Sequence, residues 1–337
     1  MYAIDAHRLS PFIDNFRLTV RLFLSKLLTP MNPVSSTTKA IIFGAIASIL
    51  WSTVFVVGRY LCDVMGMHPT LVAFLRFSNA GIVAIIYILL KGEAKSLKVL
   101  IEQPLMISLL GLTGIFGMGS AVFLALKLST AVDVSIIMNS NSIFIAPLAI
   151  MIGESITPTK IFGIIIGLFG CLLVINGSLT GFGLVRGEHL TGNLVAVISA
   201  LCWAIYTIMG KKIVRKHGGL VITSLNMIVG SIPLFILTAG LGQLRLPSLK
   251  EFLIIEYLAI FPTAIGFVFW YKALENINAS QLGPLQYLVP VGTAIISVFT
   301  LDEKIKLASI VGMLLVFVGI YFSTIRRERK SKIEQQI

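Results

Sequence analysis

The chain has 337 residues, of which 56% are apolar and 12% are charged, and its mean hydropathy is +0.95. This composition lies far outside that of soluble globular domains, so it excludes a soluble enzyme and a disulfide scaffold and indicates a membrane protein. Its 27 Lys and Arg residues against 15 Asp and Glu residues give a formal net charge of +12. The positions of these charges between apolar runs favour cytoplasmic loops, and no nucleic-acid partner is predicted.

The first segment, 1–38, is predicted to be a basic amphipathic extension on an anionic membrane face. Apolar and basic residues recur there at helical spacing: Phe12, Phe16, Val20, Phe23 and Leu27 beside Arg17, Arg21 and Lys26. Charges interrupt the apolar stretch, which argues against a signal peptide. The alternative is that Met31 is the true start and that the segment has no role.

Ten apolar runs follow, each close to the 20 residues that cross about 30 Å of hydrocarbon. The sequence therefore predicts an all-α integral membrane protein with ten transmembrane helices. These cover 40–58, 70–90, 104–126, 130–152, 158–176, 193–210, 220–240, 252–274, 279–300 and 306–324. A Gly-rich linker over 177–192 separates a first five-helix unit, 40–176, from a second, 193–325, and a basic cytoplasmic tail over 326–337 follows.

The basic residues determine the predicted orientation. If the N-terminus is cytoplasmic, an even number of spans returns the C-terminus to the same side, and 19 of the 27 Lys and Arg residues lie inside. Cytoplasmic loops carry such an excess. We therefore expect a multi-pass protein of the bacterial inner membrane with both termini in the cytoplasm.

The two halves share residues at equal spacing. Trp51 precedes Gly58 by seven residues, as Trp203 precedes Gly210. Near the other end of each half, an acid precedes two glycines by nine and sixteen residues: Glu154 with Gly163 and Gly170, and Glu303 with Gly312 and Gly319. Because five is odd, the second copy crosses the membrane in the opposite sense. We therefore predict two inverted five-helix repeats, a geometry that suits alternating access with the substrate near the midplane.

Over 40–325 the chain resembles the EamA-type transporters of the drug/metabolite transporter superfamily. Besides the tryptophans and glycine pairs, the motifs are Arg76-Phe77, Ala125-Leu126, Gly153-Glu154, Ala273-Leu274 and Asp302-Glu303. The resemblance implies a ten-helix secondary carrier, often an exporter of amino acids or other small metabolites. The family commonly has a proline in the fourth helix. The second half has Pro290, whereas the first half has Asn141 or Ser142 at this place, so the two helices are not expected to bend alike.

A polar cluster, Asn139 to Ser142, lies halfway along the fourth predicted helix. Four consecutive polar side chains in lipid are costly unless each finds a partner or water. Asn139 and Ser142, three residues apart, could share a helix face. We interpret Asn139, Asn141 and Ser142 as substrate-binding; the alternative is hydrogen bonding between helices that fixes their packing.

Arg76 also belongs to the candidate site, since it lies about 9 Å below the outer end of the second predicted helix. An arginine at this depth snorkels outward, pairs with a carboxylate such as Asp63 or Asp133, or meets an anionic substrate. Large amphipathic or helix-breaking residues in the spans complete the substrate-binding set: Trp51, Trp203, Tyr206, Gln286, Tyr287 and Pro290. Ordinary packing and interfacial anchoring are the alternatives for these side chains.

Three acids and the glycine pairs have other expected roles. Glu154 and Glu303, at predicted turns, are expected to cap the helices that follow. Glu256, near the outer end of the eighth predicted helix, is the better candidate for proton coupling, although surface placement explains it equally well. The glycine pairs predict close helix contact, either between the two halves or in a homodimer.

Together these features predict a secondary active transporter and not an enzyme. The four histidines fall outside the predicted spans and no P-loop occurs, so no metal or cofactor is predicted and the energy must come from a gradient. The expected substrate is a small polar metabolite such as an amino acid, moved by alternating access with export favoured. The other expected partners are membrane lipid and a coupling proton. An uptake carrier, an antiporter, a non-transporting interaction partner and a membrane enzyme for lipid-linked substrates are the alternatives.

Overall fold

The computed structural model describes residues 36–128, 131–139, 141–151, 157–176, 190–301 and 307–324. Every regular element in these ranges is a helix. The long helices, in chain order, are α1 Ser36–Arg59, α2 Pro69–Leu90, α3 Pro104–Leu128, α4 Ala131–Asn139, α5 Asn141–Met151, α6 Pro158–Asn176, α7 Leu190–His217, α8 Gly219–Gly240, α9 Leu249–Asn276, α10 Leu288–Leu301 and α11 Leu307–Thr324. Two short helices, Ala279–Leu282 and Gly283–Tyr287, lead into α10.

Six of the described helices, α1 to α3 and α7 to α9, are long and apolar enough to cross a membrane. Shorter apolar stretches cover Pro158–Gly170, Gly283–Ile296 and Ile310–Phe322. The helix predicted over 130–152 is described as α4 and α5, with residue 140 outside the described part. The prediction of an all-α, multi-pass membrane protein is therefore confirmed, and the count of ten spans stays a prediction.

The outward faces of the helices are apolar. Ile49, Ile232 and Phe317 expose 57%, 55% and 54% of their surface, whereas Asn226 and Thr263 are fully buried. Lipid favours this arrangement because it offers no hydrogen-bond partners to polar side chains.

Local sequence signals set the starts of α2 and α9. Pro69 occupies the first turn of α2, where its missing N–H costs no hydrogen bond. The ring Nδ1 of His68 accepts a hydrogen bond from the backbone N–H of Thr70. Ser248 and Glu251 form a capping box at the start of α9.

The end of α7 differs most from its predicted position. The helix continues from the predicted end at 210 to His217, because basic side chains in a last turn interact favourably with the helix dipole. Gly218, at φ 86°, then turns the chain directly into α8. Glycine adopts this left-handed conformation without a steric penalty.

Helices α6 and α11 pack through glycines. A Cβ atom at Gly170 would lie 2.6 Å from the carbonyl oxygen of Gly312, and one at Gly319 would lie 2.7 Å from that of Gly163. Only glycine permits such a close approach of two backbones. The two glycine pairs therefore meet each other within one chain.

The predicted extension over 1–38, the linker over 177–192 and the tail over 326–337 lie almost entirely outside the described residues.

Candidate functional site

A cavity gathers side chains from both predicted halves of the chain. Its volume is about 60 Å³. Its wall consists of Trp51, Val54, Phe55, Arg76, Met118, Val122, Met138, Asn139, Asn141, Trp203, Phe267, Gln286 and Val289. The structure thus brings together six residues from the predicted substrate-binding set: Trp51, Arg76, Asn139, Asn141, Trp203 and Gln286.

Trp51, Trp203, Phe267 and Trp270 form an aromatic cluster at this cavity. The ring centroids of Trp51 and Trp203 are 5.2 Å apart, with the ring planes at 90°. Phe267 lies 5.5 Å from Trp51 and 5.4 Å from Trp203, and Trp270 lies 5.2 Å from Trp51. Edge-to-face contacts at these distances stabilise a fixed ring arrangement. The cluster can therefore present an apolar wall to a ligand.

Amide side chains form a polar part of the cavity wall. Asn139 donates from Nδ2 to the carbonyl oxygen of Ser135 at 2.7 Å, and Asn141 donates to that of Met138 at 2.6 Å. Asn141 Oδ1 and Gln286 Oε1 are buried and have no hydrogen-bond partner among the described residues. Unpaired buried acceptors cost free energy. An N–H or O–H group of a ligand would therefore stabilise both of them.

Arg76 places a cation at the same cavity. Its side chain is 3% exposed, its Nε donates to the hydroxyl oxygen of Thr263 at 2.6 Å, and its guanidinium carbon lies 4.8 Å from the centre of the Phe77 ring. No carboxylate in the described ranges pairs with it. The side chains of the two predicted acid partners, Asp63 and Asp133, lie outside the described part. A buried cation needs a compensating partner, so the cavity favours a ligand with an anionic group.

A seven-residue π-helix, Ala259–Ile265, interrupts α9 beside the cavity. Within it, the carbonyl oxygen of Pro262 accepts a hydrogen bond from Trp51 Nε1 at 2.7 Å. Helix α3 contains a second seven-residue π-helix, Gly111–Gly117. Such turns are frequent at functional sites. The sequence does not predict either π-helix, although the proline inside the helix predicted over 252–274 is a visible signal.

The apolar part of the cavity wall is also absent from the predicted site. These residues are Val54, Phe55, Met118, Val122, Met138, Phe267 and Val289. Apolar side chains at a cavity have the same sequence pattern as those of the core, so no signal in a single sequence separates them.

Tyr206 and Pro290, which the sequence predicts to bind substrate, do not line the cavity. The Tyr206 ring lies 5.3 Å from that of Trp203 and 5.2 Å from that of Tyr271, so it supports the aromatic cluster. Pro290 is buried within α10. Substrate contact by either residue stays a prediction.

Tyr287 is buried in a separate apolar core between α6, α10 and α11. It packs against Val291 and Val316, and its hydroxyl donates to the carbonyl oxygen of Ile164 at 3.1 Å. The ring leaves no room for a side chain at position 167, because a Cβ on Gly167 would lie 2.2 Å from it. The side chain of Ser142, another predicted site residue, lies outside the described part.

Among the acids singled out in the sequence, Glu256 is described. It is half-buried in α9, and its Oε1 accepts a hydrogen bond from Asn79 Nδ2. Asn79 follows Arg76 by three residues in α2, so the two lie on one helix face. Glu154 and Glu303 lie outside the described residues.

Comparison with known proteins identifies the family. The sequence profile of the EamA-like transporter family matches residues 38–176 and again residues 190–325. An uncharacterized transporter of Archaeoglobus fulgidus is 27% identical over 85% of this chain and 97% of its own. The aromatic amino acid exporter YddG of Ancylobacter novellus is 26% identical over 76% of this chain and 86% of its own.

A solved crystal structure has the same fold. Its sequence is 23% identical, and it superposes with a TM-score of 0.72 over 85% of this chain and 96% of its own. The sequence relatives are named as a transporter and an exporter and not as enzymes, in agreement with the predicted class. Because the family profile covers both halves, the chain belongs to the EamA-like transporter family.

Proposed function

We propose that this chain is a secondary active transporter that moves a small polar metabolite, an amino acid or a related compound, across the bacterial inner membrane. In this proposal the two halves are inverted five-helix repeats that alternate between outward-open and inward-open states around the substrate. Both termini are cytoplasmic, export is the favoured direction, and a proton is the coupling ion.

The cavity shared by the two halves is the observation that carries the proposal. Trp51 and Arg76 belong to the first predicted half, and Trp203, Phe267 and Gln286 belong to the second. Carriers built from inverted repeats hold their substrate at the interface of the repeats. A buried cation, and amide oxygens that have no partner among the described residues, are costly within a membrane protein and mark functional sites.

The helices of the two halves support the repeat. Gly111–Gly117 and Ala259–Ile265 each end eight residues before an Ala-Leu step, which begins at Ala125 in the first half and at Ala273 in the second. The glycine contacts between α6 and α11 are also reciprocal, since the late glycine of each helix meets the early glycine of the other. Reciprocal contacts are what a two-fold relationship between the halves requires.

The side chains of the cavity favour a substrate with an anionic group, hydrogen-bond donors and an apolar body. Arg76 suits a carboxylate, and the unpaired oxygens of Asn141 and Gln286 suit an ammonium or hydroxyl group. The rings of Trp51 and Phe267 suit an apolar body. An amino acid combines these features, and the relative named as an aromatic amino acid exporter supports this class.

Exchange transport tests the proposal without knowledge of the coupling ion. Liposomes that contain the purified full-length protein are loaded with unlabelled amino acids and given each labelled amino acid in turn. We expect at least one label to enter faster than in protein-free liposomes. Arg76→Gln should abolish this exchange, whereas Gln243→Ala, at an exposed residue after α8, should retain it. Failure of every amino acid to exchange would count against the substrate class.

Glu256 is the proposed carrier of the coupling proton. Its carboxylate lies beside Asn79, one helical turn from Arg76. We expect Glu256→Gln to retain exchange but to lose accumulation driven by a pH gradient, because an amide does not bind the proton. Unchanged gradient-driven accumulation in this variant would exclude Glu256 from the role.

A further inference from the structure

Pro262 removes one α-helical hydrogen bond from α9. Proline has no N–H, so the carbonyl of Leu258, four residues earlier, lacks its ordinary helical donor. The hydroxyl of Thr263 donates to this carbonyl oxygen at 2.6 Å. Thr263 is fully buried, so water does not compete for this bond.

The same hydroxyl oxygen accepts a hydrogen bond from Nε of Arg76 at 2.6 Å. A hydroxyl has one proton and two lone pairs, and since the proton of Thr263 points to Leu258, a lone pair is directed at Arg76. The two bonds therefore fix the hydroxyl. With Nε held in this way, the two Nη groups of Arg76, which lines the cavity, make no hydrogen bond to a described residue.

Trp51 is hydrogen-bonded to Pro262, the residue before Thr263 in the same π-helix. Its Nε1 donates to the carbonyl oxygen of Pro262 at 2.7 Å, and a Cβ at Gly266 would lie 2.8 Å from this nitrogen. Two side chains of the cavity wall, Trp51 and Arg76, are thus held by adjacent residues of one irregular segment.

We propose that Thr263 is a positioning residue, which holds the guanidinium of Arg76 in the orientation that binds the anionic group of the substrate. This inference rests on the proposed function. Thr263 does not itself line the cavity; it acts through Arg76. Precise placement matters because bidentate recognition of a carboxylate by arginine depends on orientation.

Ligand binding by the full-length protein tests the role of Thr263. All three tryptophans of the chain belong to the aromatic cluster, so intrinsic tryptophan fluorescence reports on the cavity. The probes are L-phenylalanine and 2-phenylethylamine, which lacks the carboxylate. We expect Thr263→Val to weaken binding of L-phenylalanine about 10-fold and Thr263→Ser to restore it to within about 3-fold. Binding of 2-phenylethylamine should change less than about 2-fold in both variants, because it has no carboxylate for Arg76.

Thr238→Val is the matched control. Thr238 is also fully buried, and its hydroxyl donates to a backbone carbonyl, that of Leu234, at 2.7 Å. We expect this variant to bind both probes as the unmodified protein does. Equal weakening of both probes by Thr263→Val, or failure of Thr263→Ser to restore binding, would overturn the positioning role.

A second measurement does not need a ligand. Thermal unfolding midpoints in detergent are compared for Arg76→Gln, Thr263→Val and the double variant. Because the two side chains share a hydrogen bond, we expect the unfolding midpoint of the double variant to fall by less than the sum of the decreases in the two single variants. Additive losses would overturn the inference. If the unmodified protein binds neither probe, the proposed substrate class fails. The comparison of unfolding midpoints still decides whether Thr263 holds Arg76.

Discussion

Trp51 and Trp203 meet edge to face with their ring centroids 5.2 Å apart, yet their indole N–H groups have different surroundings. Trp51 Nε1 donates to the carbonyl oxygen of Pro262 at 2.7 Å. Trp203 Nε1 is buried without a hydrogen-bond partner among the described residues. The two tryptophans hold matching positions in the predicted repeats, but only the N–H of Trp51 has a hydrogen-bond partner among the described residues.

We therefore expect the two Trp→Phe variants to differ. Trp51→Phe loses a buried hydrogen bond and should lower the free energy of unfolding by about 1–3 kcal/mol more than Trp203→Phe. Trp203→Phe should instead weaken substrate binding. Circular dichroism on heating in detergent measures the first effect, and exchange in liposomes measures the second. Equal destabilisation by both substitutions would contradict this assignment.

The glycine contact between α6 and α11 predicts a large effect of one methyl group. A Cβ at Gly170 would lie 2.6 Å from the carbonyl oxygen of Gly312 and 2.7 Å from the backbone nitrogen of Val316. Backbone atoms cannot rotate away as a side chain can, so Gly170→Ala should cost about 1–3 kcal/mol of stability.

Gly240→Ala provides the control for this substitution. A Cβ at Gly240, the last residue of α8, would meet no atom within 4 Å. This variant should be neutral or slightly stabilising, because alanine favours helix more than glycine does. The measurement is the thermal unfolding midpoint in detergent, and an equal shift in the two variants would argue against close packing of α6 on α11.

Gln286 and Tyr287 are adjacent in the chain but are expected to affect different properties. Gln286 lines the cavity, and its Oε1 has no hydrogen-bond partner in the described part of the chain, so Gln286→Leu should weaken substrate binding with little loss of stability. Tyr287 donates to Ile164 in the core, so Tyr287→Phe should cost about 1 kcal/mol of stability and leave binding unchanged. Transport KM and unfolding midpoints of both variants test these two roles. A raised KM in Tyr287→Phe would indicate that Tyr287 takes part in substrate binding.

Apolar runs and the residues that bound them predict an all-α, multi-pass membrane protein, and the described helices confirm this class. Helix α2 was expected over 70–90 and is found at Pro69–Leu90, because proline at its start and the charge of Lys91 at its end bound the apolar run. The predicted end of α7 lies too early because the basic residues of its last turns have the pattern of a cytoplasmic loop. A charge run does not by itself distinguish a loop from a helix end.

The polar part of the cavity wall is visible in the sequence, whereas the rest of the wall depends on tertiary packing. Asn139, Asn141 and Arg76 are conspicuous because polar side chains are rare in apolar runs. The bond between Arg76 and Thr263 joins residues 187 positions apart, and Phe267 of α9 contacts Trp51 of α1 and Trp203 of α7. No local pattern contains such contacts.

His68 makes one end of the fold sensitive to pH. It lies outside the membrane-spanning segments at the start of α2, where its Nδ1 accepts a hydrogen bond from the N–H of Thr70. Burial and the charge of Lys127 lower the pKa of His68 below the ordinary value of 6.5. The folded protein therefore favours the neutral ring. The neutral ring of His68 therefore contributes to stability. This contribution is fully present above about pH 6.5, the pKa of His68 in the unfolded chain, and is lost as the pH falls through the lower pKa of His68 in the folded state.

The variant His68→Asn isolates this pH dependence. Asparagine also caps helices well but does not titrate, so α2 should begin at the same residue at every pH. We expect the unfolding midpoint of the unmodified protein to fall relative to that of His68→Asn between about pH 7 and pH 5. Parallel midpoints over this range would show that the ring of His68 does not act as a neutral cap, since a protonated imidazole cannot accept the N–H of Thr70.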